Sequence, residues 1–233
     1  MRRRPALVAV GLIAVAQIAS LCESRAVAQP APSTPVTAED AVVAVRDLAG
    51  AGLEAGARAT PSSEPPLPSS LDAAVSELRR RGDAGALQRL KIAWSEAIAE
   101  TMPHARTAAA GLASRMQPRD PLAILSGGDD AATEFFRGTS EEGIARAIQP
   151  TVRDAIGHTR LAEAYRAFTS AVSANGIEAP SLRAADLERA VTDATLHELF
   201  HDLASREARI RRDPARGSQT LQRALAAARA STH

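Results

Sequence analysis

The sequence predicts an all-α protein with a single domain of about seven to nine helices after an N-terminal signal peptide. Apolar residues recur at helical spacing, for example at Leu87, Leu90, Trp94 and Ile98. No stretch shows the alternation of polar and apolar residues that is typical of a half-buried strand, and no repeat of fixed period occurs. Glycine, proline and capping residues separate the helical stretches from one another.

The composition excludes several classes of protein. The 233 residues are 45% hydrophobic, which is ordinary for a globular chain and too high for a disordered one. A single cysteine allows neither an internal disulfide nor a CxxC zinc ribbon. The formal net charge of +1 argues against a strongly basic nucleic-acid-binding protein. We therefore expect no nucleic acid among its partners.

The first 28 residues have the pattern of a secretory signal peptide. Arg2, Arg3 and Arg4 precede a mostly apolar run over 6–21, and Ala26-Val27-Ala28 forms an A-x-A cleavage site. We expect cleavage after Ala28 and a periplasmic or secreted protein, without a transmembrane segment in the mature chain.

The alternative to a cleaved signal peptide is a lipoprotein that is lipidated at Cys22. The residue before a lipidated cysteine is normally small, and Leu21 is not. Cleavage after Ala28 would remove four arginines, one glutamate and Cys22. The mature chain would then carry a net charge of −2 and no cysteine, so the hydrophobic core alone would have to stabilise it.

Proline-rich stretches mark the ends of the first predicted elements. Residues 29–36 predict a short disordered leader, so that the helical domain spans 37–233. Residues 60–70 contain four prolines, which forbid a regular helix and predict an internal linker.

The first half of the domain contains three predicted helices. Thr37 as N-cap and Asp40 three residues later predict the start of a helix that continues to about Arg58. Ser70 is a candidate cap for the second helix, and Pro103 is expected to kink or split the third. The second and third helices are predicted over 70–81 and 84–116.

Capping residues also divide the stretch from 120 to 158. Asp120-Pro121 predicts the N-cap and first residue of a short helix that ends at Leu125, before Gly127-Gly128. Asp129 or Asp130 is expected to begin a helix that runs to Arg137. Ser140 is then expected to cap a separate helix, with acidic residues in its first turn.

The last three helices have clear ends in the sequence. Thr159 predicts the start of one helix and Asn175-Gly176 its C-cap. A long helix is predicted over 184–212, with Pro214 just beyond it, and a final helix over 218–230.

Two stretches resemble a known family. Residues 122–137 read LAILSGGDDAATEFFR, and residues 192–225 read TDATLHELFHDLASREARIRRDPARGSQTLQRAL. Together they resemble a bacterial family of exported helical proteins catalogued as domain of unknown function 4197, and the resemblance covers roughly residues 40–228. It implies a helical fold and an exported protein. The family has no established reaction, so the resemblance assigns no catalytic residue.

His197-Glu198-Leu199-Phe200-His201 forms an HExxH motif within the long predicted helix. In a helix the two histidines lie one turn apart as zinc ligands would, and Glu198 would be the general base of a zinc-dependent hydrolase. Such a site needs a third protein ligand, which the spacing of the sequence does not provide. The candidates for it are Glu207, His104 and His158.

A structural interpretation of the same motif is preferred. Leu196, Leu199, Phe200 and Leu203 would face the core of the protein, and the histidines would lie on the flank of the helix. On this interpretation no metal cofactor is expected, with zinc as the alternative, and a non-enzymatic role is favoured over an enzymatic one.

The best-defined polar cluster consists of Asp129, Asp130, Thr133 and Arg137, after Gly127-Gly128. It would form a small-ligand or cation site where two helix ends meet. The structural interpretation, which is preferred, is that a glycine C-cap is followed by an aspartate N-cap.

The function predicted from these observations is a non-enzymatic binding or interaction module of the cell envelope. Its partner would be an unidentified protein or a small apolar ligand. The six aromatic residues, 3% of the chain, lie at apolar-face positions and predict core packing. If they instead lined an apolar cavity, the protein would be a carrier of a lipid-like ligand.

Overall fold

The computed structural model describes residues 35–51, 53, 65–82, 84–178 and 181–230. Within them the chain forms eight α-helices, two short 3-10 turns and no strand, which confirms the predicted all-α class and the number of helices. The helices are α1 (Ala38–Gly50), α2 (Asp72–Arg80), α3 (Gly85–Ala113), α4 (Pro121–Ser126), α5 (Ala131–His158), α6 (Leu161–Ala174), α7 (Ala184–Arg212) and α8 (Gln219–Ala230). The predicted signal peptide and nearly all of the predicted leader lie outside the described residues.

Three long helices, α3, α5 and α7, form the centre of the unit that spans Val36–His233. α5 packs against both of the others and runs antiparallel to α7, since Thr133 meets Glu207 near one end while Arg153 pairs with Glu188 toward the other. α6 packs on α3, and α1, α4 and α8 pack against one another. This arrangement places the N-terminus of α5 beside the C-terminal third of α7.

Aromatic side chains anchor the core, as the sequence predicts. Trp94, Phe136, Phe168 and Phe200 are each at most 2% exposed. Phe136 and Phe200 join α5 to α7 in an edge-to-face contact, with ring centroids 6.1 Å apart. Small residues fill much of the remaining core, which lets the helix backbones approach closely.

Several predicted helix ends are confirmed. Thr37 and Asp40 form a reciprocal capping box, and Asp120 accepts the backbone N–H of Ala123 at 3.0 Å. Asn175 caps α6, and Gly176 adopts a positive φ of 68°. The N–H groups after this cap return to carbonyls of the last turn, as in a Schellman motif. α7 has the predicted limits, 184–212.

Two predictions in the first half of the domain are wrong. α1 ends at Gly50 rather than near Arg58, because the extended ψ of 111° at Ala51 turns the chain out of the helix. Residues 54–58 of the predicted extension lie outside the described part. Ser70 does not cap α2, because it lies inside a 3-10 turn over Ser69–Leu71 that leads directly into the helix.

The long helices α3 and α5 are each continuous where the sequence suggests a division, while the alternative of a kink at Pro103 stays a prediction. α3 continues through Pro103 without a split, with the buried Thr101 and Ala105 on either side of it. α5 is one helix across 138–140, where the sequence predicts two. Phe136, Ser140 and Ile144 follow one another on its buried face, so packing against α3 and α7 overrides the weak helix propensity of this stretch.

Thr159 does not start α6. It is the C-cap of α5 and donates its hydroxyl to the carbonyl of Ala155 at 2.7 Å. The chain then reverses at Arg160, which has a φ of 58°, and α6 begins at Leu161.

Gly138 provides a test of the continuous α5 helix. A Cβ atom added at this position meets no atom within 4 Å, and the backbone there is helical. Alanine loses less backbone entropy than glycine when a helix forms, so Gly138→Ala should raise the free energy of unfolding by about 0.5–1 kcal/mol. Urea unfolding monitored by circular dichroism measures it, and a destabilised variant would indicate a real break at this residue.

The N-terminus of α7 makes stability depend on pH. Hydrogen bonds from the side chain and backbone N–H of Arg183 lower the pKa of Asp186 below its ordinary value of 3.8. A carboxylate whose pKa is lowered in the folded state stabilises the fold above its unfolded pKa, and loses that effect as pH falls through the folded pKa. Asp186→Asn should therefore be less stable than wild type at pH 7, and the difference in stability should shrink as the pH falls through the folded pKa of Asp186. Urea unfolding of both proteins at a series of pH values from 7 downward measures this difference. Asp193→Asn, an exposed substitution in the same helix, is the control.

Candidate functional site

The carboxylate of Glu207, on α7, caps the N-terminus of α5 from beneath the surface. The residue is completely buried. Its Oε1 accepts the backbone N–H of Ala132 at 2.9 Å, and its Oε2 accepts the backbone N–H and the hydroxyl of Thr133, both at 2.7 Å. The first N–H groups of a helix lack partners inside the helix, and the positive end of the helix dipole favours an anion. Glu207 therefore satisfies two of these groups from another helix.

Arg211, one turn further along α7, completes the cap. Its guanidinium pairs with Oε1 of Glu207, at 2.8 Å from Nε and 2.7 Å from Nη2. The same group donates to the carbonyls of Leu125 at 2.8 Å and Ile124 at 3.0 Å, in the last turn of α4. A cation matches the negative end of a helix. The pair thus joins the end of α4 to the start of α5.

α8 is joined to the same network. Arg229 donates to the backbone carbonyl of Arg211 at 2.6 Å. Four helices, α4, α5, α7 and α8, therefore meet around one buried ion pair.

The turn that connects α4 to α5 lies on the surface above this ion pair. All four of its residues, 127–130, are exposed. Asp130 occupies the N-cap position of α5, but its side chain makes no capping hydrogen bond. The predicted position of the N-cap is therefore right, but the predicted capping hydrogen bond to an aspartate is wrong. Glu207 accepts the N–H groups of Ala132 and Thr133 instead. In the described part of the chain, neither Asp129 nor Asp130 has a hydrogen bond or ion pair through its carboxylate.

Gly127 ends α4, as predicted, for a steric reason. A Cβ atom at this position would lie 2.7 Å from the Cβ of Ala131 and 3.2 Å from the carbonyl oxygen of Ile124. Its φ of −71° is open to any residue, so the close approach of α5 is what requires glycine.

The predicted polar cluster is divided by the fold. Thr133 is fully buried and engaged with Glu207, whereas Asp129 and Asp130 are exposed. Arg137 pairs with Glu134 at 3.0 Å and lies over the ring of Phe200, 4.9 Å from its centroid. The four predicted residues do not converge on one point of the surface.

Sequence reasoning missed Glu207 and Arg211 as the residues that organise this region. The apolar face of α7 runs through Leu196, Leu199 and Leu203, all buried, and Glu207 continues it one turn later. A carboxylate on an apolar face with an arginine four residues after it is a sequence signal for a buried ion pair.

The HExxH histidines lie on the outer surface of α7. His197 and His201 are exposed and Glu198 is half-buried, while the apolar neighbours predicted to face inward are buried. No group of three or more His, Cys, Asp or Glu side chains among the described residues is placed to hold a metal ion. Of the proposed third ligands, Glu207 is engaged with α5 and His158 contacts Glu100 at 3.1 Å. His104 is exposed on α3.

An open groove of about 800 Å³ lies between α2 and the connection from α6 to α7. Both charged and apolar side chains line it, among them Glu77, Arg80, Arg81 and Ile177. Glu77 forms ion pairs with both arginines. None of the described helices combines the length and the hydropathy that a membrane-spanning helix needs.

The buried cap predicts a large effect of Glu207→Gln. The substitution keeps the shape of the side chain but leaves the Arg211 cation, only 7% exposed, without its counter-charge. Removing one partner of a buried ion pair costs about 3–5 kcal/mol, so we expect the free energy of unfolding to fall by about 3 kcal/mol or more. Chemical denaturation measures it.

Glu142→Gln on α5 is the matched control for this measurement. Glu142 pairs with Arg146 at 2.6 Å, but its side chain is 85% exposed. Such a pair contributes less than about 1 kcal/mol. Equal losses in the two variants would contradict the capping role of Glu207.

Comparison with known proteins identifies the family. No curated protein and no solved structure matches the chain. The model of one family, described as a protein of unknown function (DUF4197), matches residues 47–225, a span that contains the α4–α5 turn, Glu207 and Arg211. This match covers more than half of the chain and agrees with the resemblance found in the sequence. The protein therefore belongs to the DUF4197 family.

Proposed function

We propose that the protein is an exported, non-enzymatic interaction module of the cell envelope, and that it contacts a partner protein through the α4–α5 turn. The observation that carries the proposal is that a buried ion pair holds an exposed turn whose two carboxylates have no partner in the described structure.

The cost of burying charge supports this assignment. An apolar pair of similar volume often stabilises a core as well as a buried ion pair does. Glu207 and Arg211 do something that an apolar pair does not, because they satisfy the backbone groups of two helix ends beneath the turn. The turn is thus held in one conformation before any partner arrives, which lowers the entropic cost of binding.

The surface around the turn suggests the chemistry of the partner. Asp129 and Asp130 present two negative charges, and Glu134 is exposed on the first turn of α5. Leu122, on α4, is 47% exposed and is one of only two large apolar side chains in the described structure with that much exposure. A partner segment with basic residues beside an apolar one would complement this surface.

Export rests on the sequence of the N-terminus. Arg2–Arg4, the apolar run and Ala26-Val27-Ala28 support transport across the inner membrane and cleavage after Ala28. Cell fractionation and N-terminal sequencing test this directly. A mature N-terminus at Gln29 is expected, and a lipid-modified Cys22 would favour the anchored form instead.

Site-specific crosslinking in cells tests the interaction role. A photo-reactive residue is placed at Asp129, and in a second protein at Glu142, which is also exposed but lies far along α5 from the turn. We expect a discrete adduct with another protein from position 129 and none from 142. If the adduct from position 129 is lost in the Asp130→Arg and Leu122→Ser variants while their thermal stability is unchanged, the result would support a specific contact.

Two results would count against the proposal. One is equal labelling from positions 129 and 142. The other is an adduct at 129 that persists in both Asp130→Arg and Leu122→Ser. Either would show that the turn does not present a specific contact surface.

A further inference from the structure

We propose that His197 and His201 form an open two-imidazole site for a divalent transition ion, of the class that includes Cu²⁺, Ni²⁺ and Zn²⁺. The two rings lie one helical turn apart on the exposed side of α7 and are nearly parallel, with centroids 6.3 Å apart and an interplanar angle of 12°. In the described structure neither ring has a hydrogen bond with another residue. Both imidazoles are therefore free to turn toward a common ligand.

The backbone beneath the pair is rigid. Leu196, Leu199, Phe200 and Leu203 lie on the opposite side of the same two turns and are 1–4% exposed. This packing fixes the Cα positions of the two histidines. A bound zinc lies 2.0–2.1 Å from each imidazole nitrogen, so the ring centres come to about 5 Å from one another. Rotation of the two exposed side chains closes the remaining gap of about 1 Å without any movement of α7.

The site takes only two ligands from this part of the chain. Asp193 is exposed one turn before His197, but it is two turns, about 12 Å, from His201, so one ion cannot bind all three. Asp193 contributes negative charge near the ion, and water or a donor from another molecule fills the other coordination positions. This makes the site labile and distinguishes it from the three-ligand zinc centre of a hydrolase.

The donor set determines which ions bind. Imidazole suits borderline metals, and for a given set of donors affinity rises toward Cu²⁺ and falls again at Zn²⁺. We therefore expect Cu²⁺ to bind most tightly, with Ni²⁺ and Zn²⁺ weaker. The site does not depend on the proposed interaction through the α4–α5 turn.

Isothermal titration of the untagged protein with CuCl₂, NiCl₂ and ZnCl₂ tests the proposal. The titrated protein is the expected mature chain from Gln29, which contains no cysteine thiol to compete for the metal. One equivalent is expected to bind, and His197→Ala and His201→Ala should each weaken binding at least about tenfold, since losing a ligand costs no less than losing an outer-shell partner. The matched control is His104→Ala, an exposed histidine on α3, which should leave the affinity unchanged.

Paramagnetic broadening by Cu²⁺ in ¹⁵N NMR spectra gives a second measurement that needs no substitution. Signals from 193–205 should broaden first. If His197→Ala and His201→Ala bind as the parent does, or if broadening centres elsewhere, the histidines act as ordinary surface residues and the proposal is wrong.

Discussion

The ion pair between Glu207 and Arg211 determines the arrangement of one end of this fold. Either charge alone would be too costly to bury, because a buried ion without a partner is destabilising by several kcal/mol. Together they pair with each other, and each also binds backbone groups that would otherwise be unsatisfied at a helix end. The α4–α5 turn therefore depends on contacts made from α7, which lies about 80 residues later in the chain. Arg229 of α8 adds a further link through the carbonyl of Arg211.

A second, more exposed ion-pair network holds α3 against α7. Arg106 pairs with Asp202 at 2.8 Å, and Asp202 also accepts from Arg206 at 3.0 Å. Asp202 keeps 26% of its side-chain surface exposed, so solvent screens this pair more than it screens the fully buried Glu207. The two networks lie on α7 within two turns of each other. α7 thus carries the charged side chains that bind α3, α4 and α5, and its apolar face supplies Leu199 and Phe200 to the core between them.

The sequence predicts the parts of this structure that local chemistry controls. Asp120 before Pro121 and Asn175 before Gly176 act within one turn, so their capping roles are readable without a fold. The same local reasoning fails at 138–140, where glycine, threonine and serine suggest a break but packing of Phe136 and Ile144 keeps α5 continuous. It fails again at the start of α5, because the acceptor for the N–H of Ala132 lies 75 residues away in Glu207. A carboxylate on an otherwise apolar helix face, with an arginine four residues later, is the sequence pattern that indicates a long-range cap of this kind.

The fold supports the two motifs of the sequence in different ways. The helix that carries His197 and His201 uses its apolar residues to reach the core, so the histidines remain on the surface. The turn with Asp129 and Asp130 is also exposed, but the buried side chains of Glu207 and Arg211 hold the helix ends on either side of it. Ordering a free loop costs about 1–2 kcal/mol per residue, and a turn that is already ordered avoids that cost when a partner binds. A short acidic turn supported in this way is therefore better suited to recognition than a flexible loop of the same composition would be.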